Sequence, residues 1–108
     1  MRQAKVLYKN EVAGNLIQHD DGSYQFSYTD DWFSRNDKPA ISLTFPKAQQ
    51  NYTSTHLFPF FYNMLPEGVN KQSVCFFNRI DTTDFFSLLI ATATHDTIGA
   101  VTIKKNKK

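Results

Sequence analysis

Side chains able to do chemistry are few in this chain and poorly spaced for it. His19, His56 and His95 lie far apart in sequence and show no ligand-type spacing, so they do not read as a metal site. Asp20-Asp21 and Asp30-Asp31 are adjacent pairs beside turn and cap residues, where acids serve the backbone rather than a paired-carboxylate reaction. Gly14, Gly22, Gly68 and Gly99 stand singly, and no phosphate-cradling loop can be built from isolated glycines. The single Cys75 sits beside Phe76 and Phe77, a setting for a small buried hydrophobe rather than a reactive thiol. No nucleophile has a positioned base. The residues therefore describe a binding domain, not an enzyme, with no catalytic, cofactor-binding or metal-ligating set.

Charge narrows the class of partner. The 108 residues carry a formal net charge of +2, but Lys104, Lys105, Lys107 and Lys108 supply four of the twelve positive charges. Residues 1–103 hold eight basic and ten acidic groups, a net of −2. A nucleic-acid-binding face needs concentrated positive charge, and this body has none, so the lysine run at 104–108 reads as a flexible solvated tail. A hydrophobic content of 41% is too high for disorder, and no apolar run is long enough to span a membrane. One domain over 1–103, without an apolar leader and with a single cysteine, is expected in the cytoplasm.

Periodicity supplies the elements. Residues 3–9 and Val12–Gln18 read as strands joined by a tight turn at Lys9-Asn10-Glu11, with Gly14 marking a bulge or a close backbone approach. After the turn at His19–Ser23, Tyr24, Phe26 and Tyr28 alternate with polar residues and complete an antiparallel meander. Thr29 caps a short helical turn containing Trp32, a core anchor. Ile41, Leu43 and Phe45 alternate as a fourth strand, and Lys47–Thr53 reads as a polar loop. Ser54 is the candidate cap of the next helix. Val69, Phe76, Phe77 and Ile80 share one helical face, Phe85, Leu88 and Leu89 mark a further helix, and Ile98–Ile103 is a last strand. The expected class is α+β, a small antiparallel sheet (the meander plus further strands) with about three helices packed on one side.

The stretch that organises the rest is Leu57–Val69. Leu57, Phe60, Phe61, Met64 and Leu65 fill one helical face, and Phe58 and Tyr62 add a second stripe. Pro59 threatens a backbone hydrogen bond if the helix begins before it. Pro66 ends the helix and Gly68 lets the chain turn, which predicts an exposed corner between two helices. Asn63, Pro66, Glu67, Gly68 and Val69 are the candidate partner interface, whereas Phe60, Phe61 and Leu65 read as core.

Six stretches in register resemble the N-terminal subdomain of HipA-type serine/threonine kinases, the toxins of bacterial toxin–antitoxin modules. They are residues 10–16 (NEVAGNL), Phe26-Ser27-Tyr28 with Trp32, residues 39–46 (PAISLTFP), residues 60–68 (FFYNMLPEG), residues 84–89 (DFFSLL) and residues 96–101 (DTIGAV). The kinase core that carries the nucleotide loop, catalytic Asp and metal ligands in that family has no counterpart here. The chain thus resembles HipS, the separately encoded small subunit of tripartite HipBST modules. That resemblance implies an antitoxin-type subunit that binds a HipT-like kinase in trans and inhibits it, in a complex with a HipB-like DNA-binding protein. The corner after the central helix would face the kinase. Many relatives place a bulky aromatic after Leu-Pro-x-Gly; here that position is Val69, which suggests the alternative of a non-inhibitory scaffold.

Overall fold

Two tight turns set the meander. Lys9 and Asn10 both have positive φ, 50° and 69°, so strand β1 (Arg2–Tyr8) folds back directly onto β2 (Glu11–Gln18). Gly22, at φ 90°, completes the turn into β3 (Tyr24–Tyr28), where the His19 and Ser23 backbones are hydrogen-bonded. The computed structural model describes residues 1–65, 68–81, 83–92 and 101–105. Within these, short helix α1 (Asp30–Ser34) follows, then β4 (Asn51–Ser54), α2 (Pro59–Tyr62), α3 (Gly68–Asn78), α4 (Phe85–Thr92) and β5 (Val101–Lys105). The antiparallel sheet has the order β4-β3-β2-β1-β5, so the last strand pairs with the first. The α+β class is the one expected.

Gly14 is both a bulge neighbour and a close approach. The β1–β2 register slips between Val6 and Leu7, so Ala13 has no partner of its own. A Cβ on Gly14 would strike the Ser27 carbonyl oxygen and come within 2.9 Å of the Phe26 ring. Only glycine lets β2 and β3 close at this point.

One sheet face carries Ala4, Val6, Leu16, Tyr24, Phe26, Tyr28, Val101 and Ile103 into a core shared with Phe61 of α2 and Phe86, Leu88 and Leu89 of α4. The other face is lined largely by polar residues such as Lys5, Asn15, Gln25, Ser27 and Lys104. Trp32 is the expected core anchor. Its ring is 2% exposed, its Nε1–H donates to the Pro39 carbonyl at 2.9 Å, and Thr29 Oγ1 caps its helix by accepting from the Trp32 N–H.

Three expectations are corrected. Residues 41–45 form no strand. The Phe45 N–H bonds the Ser42 carbonyl, making a turn that buries Ile41 and Phe45 while leaving Leu43 fully exposed. Tyr28 holds this turn, its hydroxyl accepting from the Ile41 N–H at 3.1 Å and donating to the Phe45 carbonyl. The fourth strand is instead Asn51–Ser54, from the stretch read as a polar loop, because the free edge of β3 accepts it as partner. Second, Ser54 does not cap the central helix. Its hydroxyl accepts from the His56 N–H, and the helix starts at Pro59, where a missing N–H costs nothing. Third, Phe76 and Phe77 do not face the core. Cys75 is buried, as expected of it, and the neighbouring 100° turns carry the two rings outward.

Lys104 and Lys105, expected in the tail, are the last residues of β5 and pair with Lys5 and Ala4. Residues 98–100 of the expected last strand and Lys107–Lys108 of the tail lie outside the described residues.

Candidate functional site

The corner after the central stretch is built outward from an aromatic cluster. Phe45 lies 4.8 Å from Phe26, 5.1 Å from Phe58 and 5.7 Å from Phe61, measured between ring centroids, and Phe61 is fully buried. These contacts fasten α2 onto the sheet. Regular helix ends at Tyr62, after which the Met64 and Leu65 N–H groups bond the Phe61 and Tyr62 carbonyls three residues back. The tightened turn pushes Asn63 into solvent while Leu65, 8% exposed, returns to the core. Tyr62 is half exposed, its ring standing edge-on to Phe85 at 5.5 Å.

Of the five candidate interface residues, Asn63 is thus on the surface, and Gly68 and Val69 open α3. Pro66 and Glu67 lie outside the described residues. The corner joins two helices as expected, but the first is a single turn rather than the whole of residues 57–65.

Among the described side chains at α3, Cys75 is buried and Val74 and Ile80 are partly covered. It ends in a C-terminal cap in which the Ile80 N–H bonds the Cys75 carbonyl at 2.9 Å and Arg79 takes φ 56°. Phe76 and Phe77 are 78% and 80% exposed, in mutual edge-to-face contact at 5.5 Å. Cys75, Phe76 and Phe77 are consecutive, and successive helix residues point about 100° apart, so a placement that buries Cys75 turns the two rings away from the core.

A second cluster joins the chain's start to α4 and was not anticipated. Arg2 donates to Asp84 Oδ1 at 2.7 Å, to Ser87 Oγ at 2.8 Å and to Gln18 Oε1, with its guanidinium 4.9 Å from the Phe86 ring centre. The Arg2 hydrogen bond, reinforced by Ser87, holds the Asp84 carboxyl below its usual range. Asp84 also accepts from the Ser87 N–H as cap of α4. Every group here is occupied by another, which makes the cluster a clamp between sheet and helix. Beside it an open depression of about 240 Å³ is lined by Met1, Arg2, Gln18, His19, Asp20 and Gly22, residues of strand ends and turn. Among the described residues, no group of three His, Cys, Asp or Glu side chains could hold a metal ion, and no helix is long and apolar enough to cross a membrane.

The fold and surface define a small α+β module whose distinctive exposed features, among the described residues, are Tyr62, Asn63 and the aromatic pair of α3. The chain belongs to the HipA N-terminal domain family, whose model matches residues 4–104. It is 33% identical over 108 residues to an uncharacterized protein of Haemophilus influenzae, covering 100% of this chain and 96% of that protein. It is also similar to a solved structure of the N-terminal domain of HipA toxin, at a TM-score of 0.72 and 30% identity, covering 100% of this chain and 95% of the other.

Proposed function

We propose that this chain is an antitoxin-type subunit that binds a HipT-like serine/threonine kinase in trans and restrains it, without enzymatic activity of its own. The observation that carries this reading is the family match over residues 4–104, shared with the N-terminal domain of a toxin. A domain of this kind supplies surface rather than chemistry, and the corner from Asn63 to Val69 is the surface we assign to the kinase. Asn63 offers an exposed amide there, and Gly68 opens the helix that follows. A HipB-like DNA-binding protein completes the assembly in this reading, and the domain itself makes no contact with nucleic acid or membrane.

Val69 favours a second reading. An aromatic side chain at an interface buries about 150–250 Å², which a valine cannot match, so a pocket-plugging inhibitor is less natural here than a scaffold bridging kinase and DNA-binding subunit. The two readings separate in one experiment. A HipT-like kinase is titrated with this chain while phosphorylation is followed, and complex formation is checked by size exclusion. Binding with stoichiometric loss of phosphorylation establishes the inhibitor, binding with activity unchanged establishes the scaffold, and absence of binding overturns both.

A further inference from the structure

The two edges of the sheet are finished differently. β5 ends in Lys104 and Lys105, charged residues of the kind that keep an exposed edge from recruiting another strand. β4, at the opposite edge, has no such guard. From Ala48 to Leu57 the sequence holds no Lys, Arg, Asp, Glu or Pro, and no bulge interrupts the pairing of β4 with β3. The flanking charges are engaged elsewhere. Lys47 Nζ donates to the Arg35 and Lys38 carbonyls at 2.6 and 2.8 Å, and Asp30 Oδ1 accepts from Gln50 Nε2 at 2.7 Å.

Hydrogen bonding within the sheet fixes which backbone groups this edge offers. The Thr29 N–H bonds the Ala13 carbonyl, whereas the Tyr28 N–H bonds the Gln50 carbonyl. Bonding direction alternates along an antiparallel strand, so Tyr24, Phe26 and Tyr28 face β4, where Ser54, Tyr52 and Gln50 meet them. Asn51 and Thr53, the residues between, turn their N–H and C=O groups away from β3, and both are exposed. The Asn51 carbonyl accepts there from Gln49 Nε2, which leaves it a second lone pair. The Asn51 N–H and both backbone groups of Thr53 point outward from an edge that has no further strand among the described residues.

We infer that the β4 edge pairs with the β4 edge of a second copy of this chain, antiparallel about a two-fold axis at Tyr52, to make one continuous sheet. In that register Asn51 of each copy lies opposite Thr53 of the other, and the two exchange both backbone hydrogen bonds. Gln50 meets Ser54, and the two Tyr52 residues form an aromatic cross-strand pair on the axis. The absence of charge selects a second copy as the occupant. A two-fold axis brings side chains near their own duplicates, so a charged edge would repel itself, and this one does not. Pairing of this kind consumes both β4 edges, and the lysines of β5 guard the far ends, so assembly stops at two. A ladder this short falls below the standard of about 800 Å² per partner, which makes the dimer a reversible one. The inference stands independently of the kinase reading.

The test is sedimentation equilibrium of the full chain from about 10 μM to about 1 mM, a range suited to a small interface, with the Asn51 and Thr53 amides followed by NMR. A monomer–dimer equilibrium is expected, in which those two amides shift with concentration. T53P removes an outward N–H without touching the bonds to β3, and is expected to fold and to weaken the dimer at least about ten-fold. T53K keeps the backbone whole and sets two lysines diagonally across the axis. It is expected to weaken the dimer by a factor that shrinks at high salt, and it decides the matter should T53P melt below wild type. A wild type that stays monomeric throughout the range would overturn the inference. A dimer that T53K leaves unchanged would overturn it too, since another surface would then hold the copies together.

Discussion

Phe26, Phe45 and Phe61 meet ring against ring in the interior, whereas Phe76 and Phe77, of the same residue type, stand in solvent. The difference lies in what each region has to pack against. The first three come from a strand, a turn and a helix that converge on one sheet face, so each ring covers the others. The last two belong to a helix that, among its described side chains, buries Cys75 and partly covers Val74. A sheet face recruits aromatic residues from distant segments, but a helix lying at the margin buries only the line that touches. The aromatic residues of the sheet side are thereby committed to stability, whereas Phe76 and Phe77 contribute little burial.

The sharpest way to break this contrast is to truncate one member of each set. F61A removes a fully buried ring and should cost about 3–5 kcal/mol, read as a large fall in denaturation midpoint; a loss under about 1 kcal/mol would mean that the interior cluster is not the stabilising centre. Next in size is Y28F. It strips the hydroxyl that joins the Ile41 N–H to the Phe45 carbonyl and should cost about 1–3 kcal/mol, because both buried backbone groups lose a partner. Burial already pushes the Tyr28 phenol above its ordinary pKa, in keeping with a hydroxyl that stays protonated.

The clamp at Asp84 gives a smaller effect with a definite pH signature. Its carboxyl is held below the usual carboxylate value by Arg2, so its contribution is fully present above the unfolded pKa near 4 and is lost as pH falls through the lower folded value. D84N keeps a capping side chain but loses the charge of a partly exposed pair, and should therefore be about 0.5–1 kcal/mol less stable than wild type at pH 7. Melts at descending pH should show that gap closing below pH 4, and a gap constant with pH would remove the ion pair from the account. Least affected in stability is F76A/F77A, expected within about 0.5 kcal/mol of wild type; a loss as large as that of F61A would place those rings in the core after all.

Much of the sheet was legible because its signals are local. Asn10 and Gly22 specify turns by their tolerance of positive φ, and Tyr24, Phe26 and Tyr28 alternate cleanly, so register follows from the hydrophobic face. The 41–45 stretch misled for the same reason. Ile41 and Phe45 are both inward, but as the ends of a turn drawn in by the Tyr28 hydroxyl rather than as alternate residues of a strand. Asn51–Ser54 carries almost no hydrophobic pattern and becomes a strand only because β3 presents a free edge.

For the candidate site, Asn63 and the helix starting at Gly68 were legible from the sequence, since proline and glycine punctuate the chain whatever surrounds them. The fate of Phe76 and Phe77 was not. Helical spacing states which residues share a face, but only the placement of neighbouring elements states which face is covered. The Arg2–Asp84 clamp is the same lesson at longer range, two residues 82 apart joined where the start of β1 meets the residue that caps α4. Local conformation and family membership reside in the sequence itself, through backbone preference and residue chemistry. Which aromatics became core and which became surface was decided by tertiary packing, because burial belongs to pairs of elements and not to any one of them.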